Sequence, residues 1–126
     1  MIAAGQAFWL DIPDEPTDHL WIVVTEPDPQ LVIVMVTDMR NVASPDIVIP
    51  NDTVLTKRFT LKKSSTVTFA RSRQLESTLL AQLISGGRAM DAGICDPKWL
   101  VDIRQALLTS PDTPAGIKQH CASLTW

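Results

Sequence analysis

His19 is the side chain in this sequence best suited to proton transfer near neutral pH. It opens an apolar run that follows a segment rich in proline and acidic residues. An imidazole exchanges a proton close to neutral pH, and neighbouring carboxylates favour its protonated form. At the start of a strand, His19 is expected at the edge of a sheet, within reach of solvent. Its type and place predict a general acid or base, with a surface or capping role as the alternative.

Three polar residues follow the apolar run 31–36. The run stops at Thr37 and Asp38, and Arg40 comes two residues after Asp38. Small barrels expose functional groups at strand ends, so these side chains are candidates for a site. Arg40 is the only basic residue among the first 55, and a guanidinium is a good ligand for an anion such as phosphate. The alternative is a loop salt bridge between Asp38 and Arg40, worth about 0–1 kcal/mol.

Basic residues are concentrated in segment 56–75, which contains no acidic residue. The net charge is −3, but residues 1–55 hold nine acidic residues and one basic residue, whereas 56–126 hold five acidic and ten basic residues. Such a split predicts an acidic face and a basic face that could meet a polyanion. A solvated edge strand guarded by lysines is the alternative. The candidate substrate-binding bases are Lys57, Arg58, Lys62, Lys63 and Arg71.

Aromatic residues interleave with these bases. Phe59 and Phe69 could stack on unpaired nucleobases while the bases hold phosphates. With only seven aromatic residues in the chain and no tyrosine, the alternative is that both belong to the core.

Several kinds of site have no support in the sequence. It contains no glycine-rich nucleotide loop, no Gly-x-Ser-x-Gly and no His-Glu-x-x-His. Cys95 and Cys121, the only cysteines, do not have the spacing of a zinc or redox site. We therefore expect no metal, no cofactor and reduced thiols. Because no apolar run approaches the roughly 20 residues of a membrane span and the first residues do not resemble a signal peptide, we expect a cytoplasmic protein without a membrane partner.

The predicted elements are strands first and helices afterwards, which defines an α+β fold. Short apolar or alternating segments, bounded by proline and turn residues, predict five or six strands within residues 6–71. The predicted strands are 8–12, 19–25, 31–37, 46–49, 54–60 and 66–70. Short strands at this spacing favour a small barrel.

The remainder of the chain is predicted to be helical, with two or three helices. An apolar stripe from Leu75 ends at Gly86-Gly87, and Asp96-Pro97 is a strong start signal for a helix that continues to about Thr109. Thr113-Pro114 repeats that signal for a short last helix. With 126 residues, the chain is expected to form one domain, comprising a barrel over 6–76 and a helical extension over 77–126.

Two of the strand segments resemble those of a known family. The run His19-Leu20-Trp21-Ile22-Val23-Val24-Thr25 is similar to the first long strand of the MazF/PemK-like growth-inhibitor toxins, and 32–37 is similar to their second strand, which runs into a threonine. The resemblance covers about 6–76. The sequence departs from the pattern after Asn51-Asp52, where the glycine, histidine and proline of one branch are missing, and at Phe69, where a tyrosine is common.

This resemblance implies an SH3-like barrel that forms a homodimer and cleaves single-stranded RNA without a metal, opposed by an antitoxin protein. Thr37 falls on the functional threonine of the family, and His19 lies near the position of a basic active-site residue. Asp38 would orient a partner or act as base, and Arg40 is added on its charge alone. The alternative is a non-catalytic barrel that binds protein or nucleic acid, favoured by the net negative charge and the departures from the motif. A small-molecule enzyme has no motif behind it.

Overall fold

The protein has an α+β fold, as the sequence predicts. The computed structural model describes residues 2–10, 19–27, 29–41, 45 and 47–124. The strands are β1 (Gln6–Leu10), β2 (His19–Val23), β3 (Gln30–Asp38), β4 (Val54–Thr56), β5 (Phe59–Thr60), β6 (Ser65–Glu76) and β7 (Ala89–Ile94). The helices are α1 (Ser77–Ser85), α2 (Pro97–Thr109) and α3 (Ala115–Ala122), and a 3₁₀ turn spans Met39–Asn41. Among the described residues, no helix is both long and apolar enough to cross a membrane.

Five strands form one antiparallel sheet in the order β6-β3-β2-β1-β7, and β4 pairs with β5 in a separate hairpin. β2 and β3 lie at the centre because their apolar runs suit strands that are covered on both faces. Their register pairs Leu20 with Val36 and Val23 with Ile33. Central strands buried on both faces have a strongly specified register, since a slip by one residue would exchange the two faces.

Each face of the sheet carries its own apolar core. One face holds Leu20, Ile22 and Val34 and is covered by α2, α3 and the β4–β5 hairpin, among others through Ile103 and Leu55. The other face is smaller. It holds Phe8, Trp21, Val23 and Ile33, and Leu80 of α1 packs against it. Alternate side chains along β2 and β3 therefore belong to two different cores.

The start signal of α2 and the stop signal of α1 are used as predicted, whereas α3 starts one residue later than predicted, because Pro114 and not Thr113 is its N-cap. Asp96 caps α2, where its side chain accepts a hydrogen bond from the Lys98 backbone nitrogen at 3.0 Å, and Pro97 is the first helical residue. α1 ends before Gly86, and Gly87 adopts a left-handed backbone with φ of 75°. α3 begins directly after Pro114. Local capping chemistry thus fixes the boundaries of the C-terminal helices.

The sheet is open, whereas the sequence pattern predicts a closed barrel over 6–71. β6 and β7 are the two edges of the sheet. α1 connects them, and its Leu80 packs on the sheet face that holds Phe8 and Trp21. A barrel would need these two edges to pair with each other, but the strand order places them at opposite ends of the sheet, with three strands between them. The SH3-like barrel is therefore not confirmed.

Other boundaries also differ from the prediction. β7 interrupts the region 77–126, which the sequence predicts to be entirely helical, and it pairs with β1. Its residues Ala89 to Ile94 include alanine and glycine and lack a β-branched alternation, so they carry little strand signal. The predicted strand 54–60 is a hairpin of two short strands, β4 and β5. β6 extends to Glu76, so Leu75 lies in a strand and α1 starts later.

Two predicted strands fall partly outside the described residues. Of 46–49, Ile49 forms an isolated bridge with Ser65, the first residue of β6, and residue 46 is not described. Of 8–12, residues up to Leu10 belong to β1, and residues 11–12 are not described.

Candidate active site

A cleft of about 500 Å³ opens at the end of the sheet where β2 begins, β3 ends and β6 begins. We call it the strand-end cleft. It is lined by Trp9, His19, Leu20, Val36, Thr37, Asp38, Phe59, Leu61, Lys62, Lys63 and Ser65. Its volume lies within the range of about 300–1,000 Å³ that is typical of small-ligand pockets.

Strand register brings His19 and Thr37 to the same place. His19 is the first residue of β2 and pairs with Leu10 of β1. On its other side, the register of β2 with β3 pairs Leu20 with Val36, and one further step brings His19 opposite Thr37. Residues opposite each other in antiparallel strands have Cβ atoms about 5 Å apart. The hydroxyl residue and the imidazole are thus neighbours, although 17 residues separate them in the sequence.

Asp38 is held by a guanidinium rather than left as a proton acceptor. Its carboxylate accepts hydrogen bonds from Arg40 Nη2 at 2.9 Å, from Nε at 3.2 Å and from the Arg40 backbone nitrogen at 3.0 Å. The side-chain bond to Arg40, followed by the backbone bond, lowers the pKa of Asp38, and the same pair raises the pKa of Arg40. The loop salt bridge that the sequence leaves as an alternative is therefore present.

The same carboxylate lies near the basic loop between β5 and β6. Lys63 Nζ is 3.9 Å from Asp38 Oδ2, and the Met39 backbone nitrogen donates to the Ser64 carbonyl at 3.2 Å. These contacts hold the β5–β6 loop against the end of β3. Among the described residues, the lining of the cleft thus holds two lysines and one carboxylate, and Arg40 and Lys63 both contact that carboxylate.

An aromatic pair forms one wall of the cleft. The rings of Trp9 and Phe59 meet edge to face, with centroids 5.3 Å apart and an interplanar angle of 89°. Both side chains are half-buried and pack against the larger core. The interpretation of Phe59 as a core residue is thus correct in part, because it also faces the cleft.

A second cavity, of about 620 Å³, lies between β4 and β7 at the N-terminus of α2. We call it the hairpin groove. It is lined by Val54, Leu55, Thr56, Lys57, Arg58, Asp91, Gly93, Ile94, Cys95, Asp96 and Pro97. Arg58 Nη1 lies 3.4 Å from Asp91 Oδ2 in an exposed ion pair.

Thr56 fastens the hairpin to the edge of the sheet. Its buried hydroxyl donates to the Ala92 carbonyl and accepts from the Arg58 backbone nitrogen, the latter at 3.0 Å. Gly93 permits this approach: its φ is 93°, and a Cβ there would stand 3.0 Å from Thr56 Oγ1. The backbone of Arg58 is therefore fixed while its side chain remains exposed.

The structure separates the residues that the sequence singles out into three groups. His19, Thr37, Asp38, Lys62 and Lys63 line the strand-end cleft, and Arg40 joins it through Asp38 without lining it. Lys57 and Arg58 line the hairpin groove instead. Arg71 lies on an exposed stretch of the edge strand β6 and lines neither cavity. The sequence prediction that all these bases contact one RNA backbone is thus not matched by a single cavity.

Sequence reasoning missed three residues of these cavities. Trp9 lines the cleft, although nothing in its local sequence marks it beyond its alternation with the buried Phe8 and Leu10. Asp91 and Gly93 line the groove from β7, a strand that the sequence does not predict. The acidic residues before His19 lie outside the described residues, so their distance to the imidazole is not defined.

The two cysteines are buried, Cys95 beside the hairpin groove and Cys121 in the larger core. Burial raises the pKa of the Cys95 and Cys121 thiols to about 11, so neither is a thiolate near neutral pH. Within the described ranges, no three residues among His, Cys, Asp and Glu cluster as a metal ion would require.

No protein-family model and no curated protein matches this sequence.

Proposed function

We propose that the protein is an endoribonuclease that cleaves single-stranded RNA without a metal ion, and that the reaction takes place in the strand-end cleft. The observation that carries the proposal is the shared lining of the cleft, where an imidazole, a hydroxyl and two lysines from three separate segments of the chain converge. These are the groups that attack by a ribose 2′-hydroxyl on the adjacent phosphate requires.

In the proposed reaction, the 2′-oxygen forms a bond to phosphorus and the bond from phosphorus to the 5′-oxygen breaks. His19 accepts the proton of the 2′-hydroxyl while water protonates the departing 5′-oxygen, or, when protonated, it donates a proton to the 5′-oxygen while water takes the proton of the 2′-hydroxyl. Lys62 and Lys63 offset the charge that grows on the phosphate oxygens. The Thr37 hydroxyl donates to a phosphate oxygen, which positions the phosphorus next to the imidazole.

Asp38 has an indirect role in this proposal. Its lowered pKa keeps the carboxylate ionised, so it is a weak proton acceptor. It holds Arg40 and Lys63 at the mouth of the cleft through contacts of 2.9 Å and 3.9 Å. Asp38 is therefore a positioning residue, and Arg40 supplies long-range attraction for the phosphate.

The size of the cleft and the required chemistry both favour unpaired RNA as substrate. A 500 Å³ cleft suits one splayed nucleotide and not a double helix, and sequence-specific RNA readers commonly take bases out of single strands. Only RNA supplies the 2′-hydroxyl that attacks. The Trp9–Phe59 wall offers apolar contact for a base.

The resemblance to MazF/PemK-like toxins extends the proposal to partners and to finer architecture. It adds a homodimer, an antitoxin protein that neutralises the activity, and an SH3-like arrangement of the strands. Light scattering on the purified protein tests the dimer: a mass of two chains supports it, and a mass of one chain contradicts it.

The test of the activity is incubation with a long unstructured RNA in EDTA. We expect the wild type to cleave it. Thr37→Val, which keeps the side-chain shape, is expected to reduce cleavage roughly 10- to 100-fold, since a hydrogen bond to a charged group contributes about 1.5–3 kcal/mol. His19→Ala is expected to abolish cleavage, and His120→Ala, on α3, is the matched control that retains it. Cleavage that survives both cleft substitutions would contradict the proposed site.

A binding module without catalysis is the second candidate function. It is favoured by the engagement of Asp38 with Arg40, which leaves His19 as the one described group of the cleft suited to proton transfer near neutral pH. In this case, the folded wild type binds RNA in a salt-dependent manner and releases no fragments.

A further inference from the structure

The hairpin groove has apolar walls that are unusually exposed. Val54 of β4 and Ile94 of β7 are 62% and 59% exposed, respectively, and both line the groove. Single exposed apolar side chains are common, but two that line the same concave surface indicate a place where a ligand binds. The core already contains their neighbour Leu55, so folding alone does not account for these walls.

The charged groups of the groove are two exposed bases, Lys57 and Arg58, and two carboxylates, Asp91 and Asp96. Asp91 pairs with Arg58, and Asp96 caps α2. Lys57 and Arg58 occupy the turn of the β4–β5 hairpin, and the Arg58 side chain is 66% exposed. Its contact with Asp91 is 3.4 Å long and solvent-exposed, and such pairs contribute little to stability. Arg58 can therefore exchange Asp91 for a phosphate at small cost, with a backbone that Thr56 keeps fixed.

The groove and the strand-end cleft are lined by consecutive residues of the chain. Arg58 lines the groove and the next residue, Phe59, lines the cleft. Trp9, which contacts Phe59, pairs with Met90 of β7, the residue before Asp91. The two cavities therefore adjoin at residues 58 and 59.

We propose that the hairpin groove is a second nucleotide subsite, which binds the nucleotide next to the one that reacts in the strand-end cleft. Arg58 and Lys57 hold its phosphate, and Val54 and Ile94 contact the face of its base. This inference rests on the proposed function, because it takes the same RNA as ligand. The match of two exposed cations and two apolar walls to a phosphate joined to a base is the reason for choosing a nucleotide as occupant.

Two substitutions that break the same ion pair separate ligand binding from a structural role. Arg58→Ala removes the side chain that would bind the phosphate, whereas Asp91→Asn removes the carboxylate that competes with the phosphate for Arg58. The asparagine keeps an oxygen that can accept the hydrogen bond which the Gly93 backbone nitrogen donates to Asp91 Oδ1 at 2.8 Å. If the pair only stabilises the fold, both substitutions act in the same direction. If Arg58 binds phosphate, they act in opposite directions.

The probe is a short, labelled 2′-O-methyl RNA, which lacks the attacking hydroxyl, with binding followed by fluorescence anisotropy. We expect Arg58→Ala to weaken binding and to lower the slope of log affinity against log salt by about 0.7, the value for one phosphate contact on a single strand. We expect Asp91→Asn to tighten binding roughly two- to fivefold, the range over which an exposed ion pair acts.

The outcomes distinguish this inference from the proposed function. If the wild type cleaves RNA but the two variants bind as it does, or shift together, the subsite is wrong and the cleavage site stands. If binding depends on Arg58 as expected but no RNA is cleaved, the subsite stands and the catalytic proposal fails. If the folded wild type binds no oligonucleotide, both are overturned, and the groove is left as a docking site for protein.

Discussion

The strand-end cleft and the hairpin groove hold their charges in different ways. In the cleft, three nitrogen atoms of Arg40 donate hydrogen bonds of 2.9–3.2 Å to the Asp38 carboxylate, and Lys63 approaches the same carboxylate. In the groove, Arg58 touches Asp91 through one contact of 3.4 Å. A reaction needs groups at fixed positions, whereas binding of a flexible strand tolerates side chains that adapt. The contrast favours chemistry in the cleft and recognition in the groove.

The two cavities also differ in what positions them. The cleft forms at the ends of β2 and β3, whose register is set by apolar cores on both faces of the sheet. The groove forms where a short hairpin is fastened to the edge strand β7 by Thr56 and the close approach of Gly93. We therefore expect substitutions that loosen the edge strand β7 to disturb the groove more than the cleft.

Loss of the cleft imidazole is expected to have the largest effect. His19→Gln should lower kcat for RNA cleavage by about 10²–10⁴-fold, the usual contribution of a general acid or base. Arg58→Ala should instead raise KM for a long RNA and leave kcat near that of the wild type. Steady-state kinetics on both variants measures kcat and KM separately, with His120→Gln as control. A fall in kcat for Arg58→Ala comparable to that for His19→Gln would remove the distinction between the two cavities.

The attachment of the β4–β5 hairpin to β7 should be sensitive to a methyl group added at Gly93. Gly93→Ala is expected to lower the free energy of unfolding by about 1–3 kcal/mol, through backbone strain and the clash with Thr56. Gly87→Ala is the matched control, because its φ is also positive, 75°, but a Cβ there would meet no atom within 4 Å. Urea denaturation compares the two. Equal losses would show that the approach of β4 to β7 is not tight.

The lysines of the cleft should matter more than a base that lies outside both cavities. Lys62→Ala and Lys63→Ala are each expected to weaken RNA binding and to reduce the salt slope by about 0.7. Arg71→Ala, on the exposed part of β6, should leave the slope unchanged. Binding measured over a series of salt concentrations provides the comparison, and an Arg71 effect as large as that of the lysines would mean that RNA follows β6 instead.

Acid stability should show a small effect that belongs to the cleft. Arg40 lowers the folded-state pKa of Asp38 below its usual value of 3.8, so the ionised carboxylate stabilises the fold above that value and the stabilisation is lost as pH falls through the lowered pKa. In thermal unfolding between about pH 4 and pH 2, Asp38→Asn should therefore show a shallower loss of stability than the wild type. Arg40→Gln removes the cause of the shift and should flatten the curve in the same way. A steeper loss in either variant would contradict the assignment.

Local sequence signals sufficed for much of the fold. The continuous apolar runs of β2 and β3 and the Asp96-Pro97 start of α2 predicted those elements, because burial on two faces and helix capping leave a local signature. β7 has no such signature, since its alanines and glycine become a strand only by pairing with β1. The open sheet includes this strand and the crossover through α1, and both depend on tertiary contacts that leave no signal in the local sequence.

The candidate site was predictable by residue type but not by grouping. His19 and Thr37 were singled out from their chemistry and their places at the ends of apolar runs, and Lys63 from its place in the basic segment; all three line one cleft. Their proximity depends on the register of β2 with β3 and on the path of the β5–β6 loop, which spacing along the chain does not reveal. Arg58 was assigned to the same surface as Lys62, yet the turn of the β4–β5 hairpin directs it into a different cavity.

The most direct test of the proposed chemistry is the identity of the RNA ends produced by the wild type in EDTA. Attack by the 2′-hydroxyl must leave a 2′,3′-cyclic phosphate on one fragment and a 5′-hydroxyl on the other. We predict these ends from wild-type protein, formed about 10²–10⁴-fold more slowly by His19→Gln. Fragments with 5′-phosphate ends, or cleavage that requires a divalent metal, would contradict a reaction carried by His19 in the strand-end cleft.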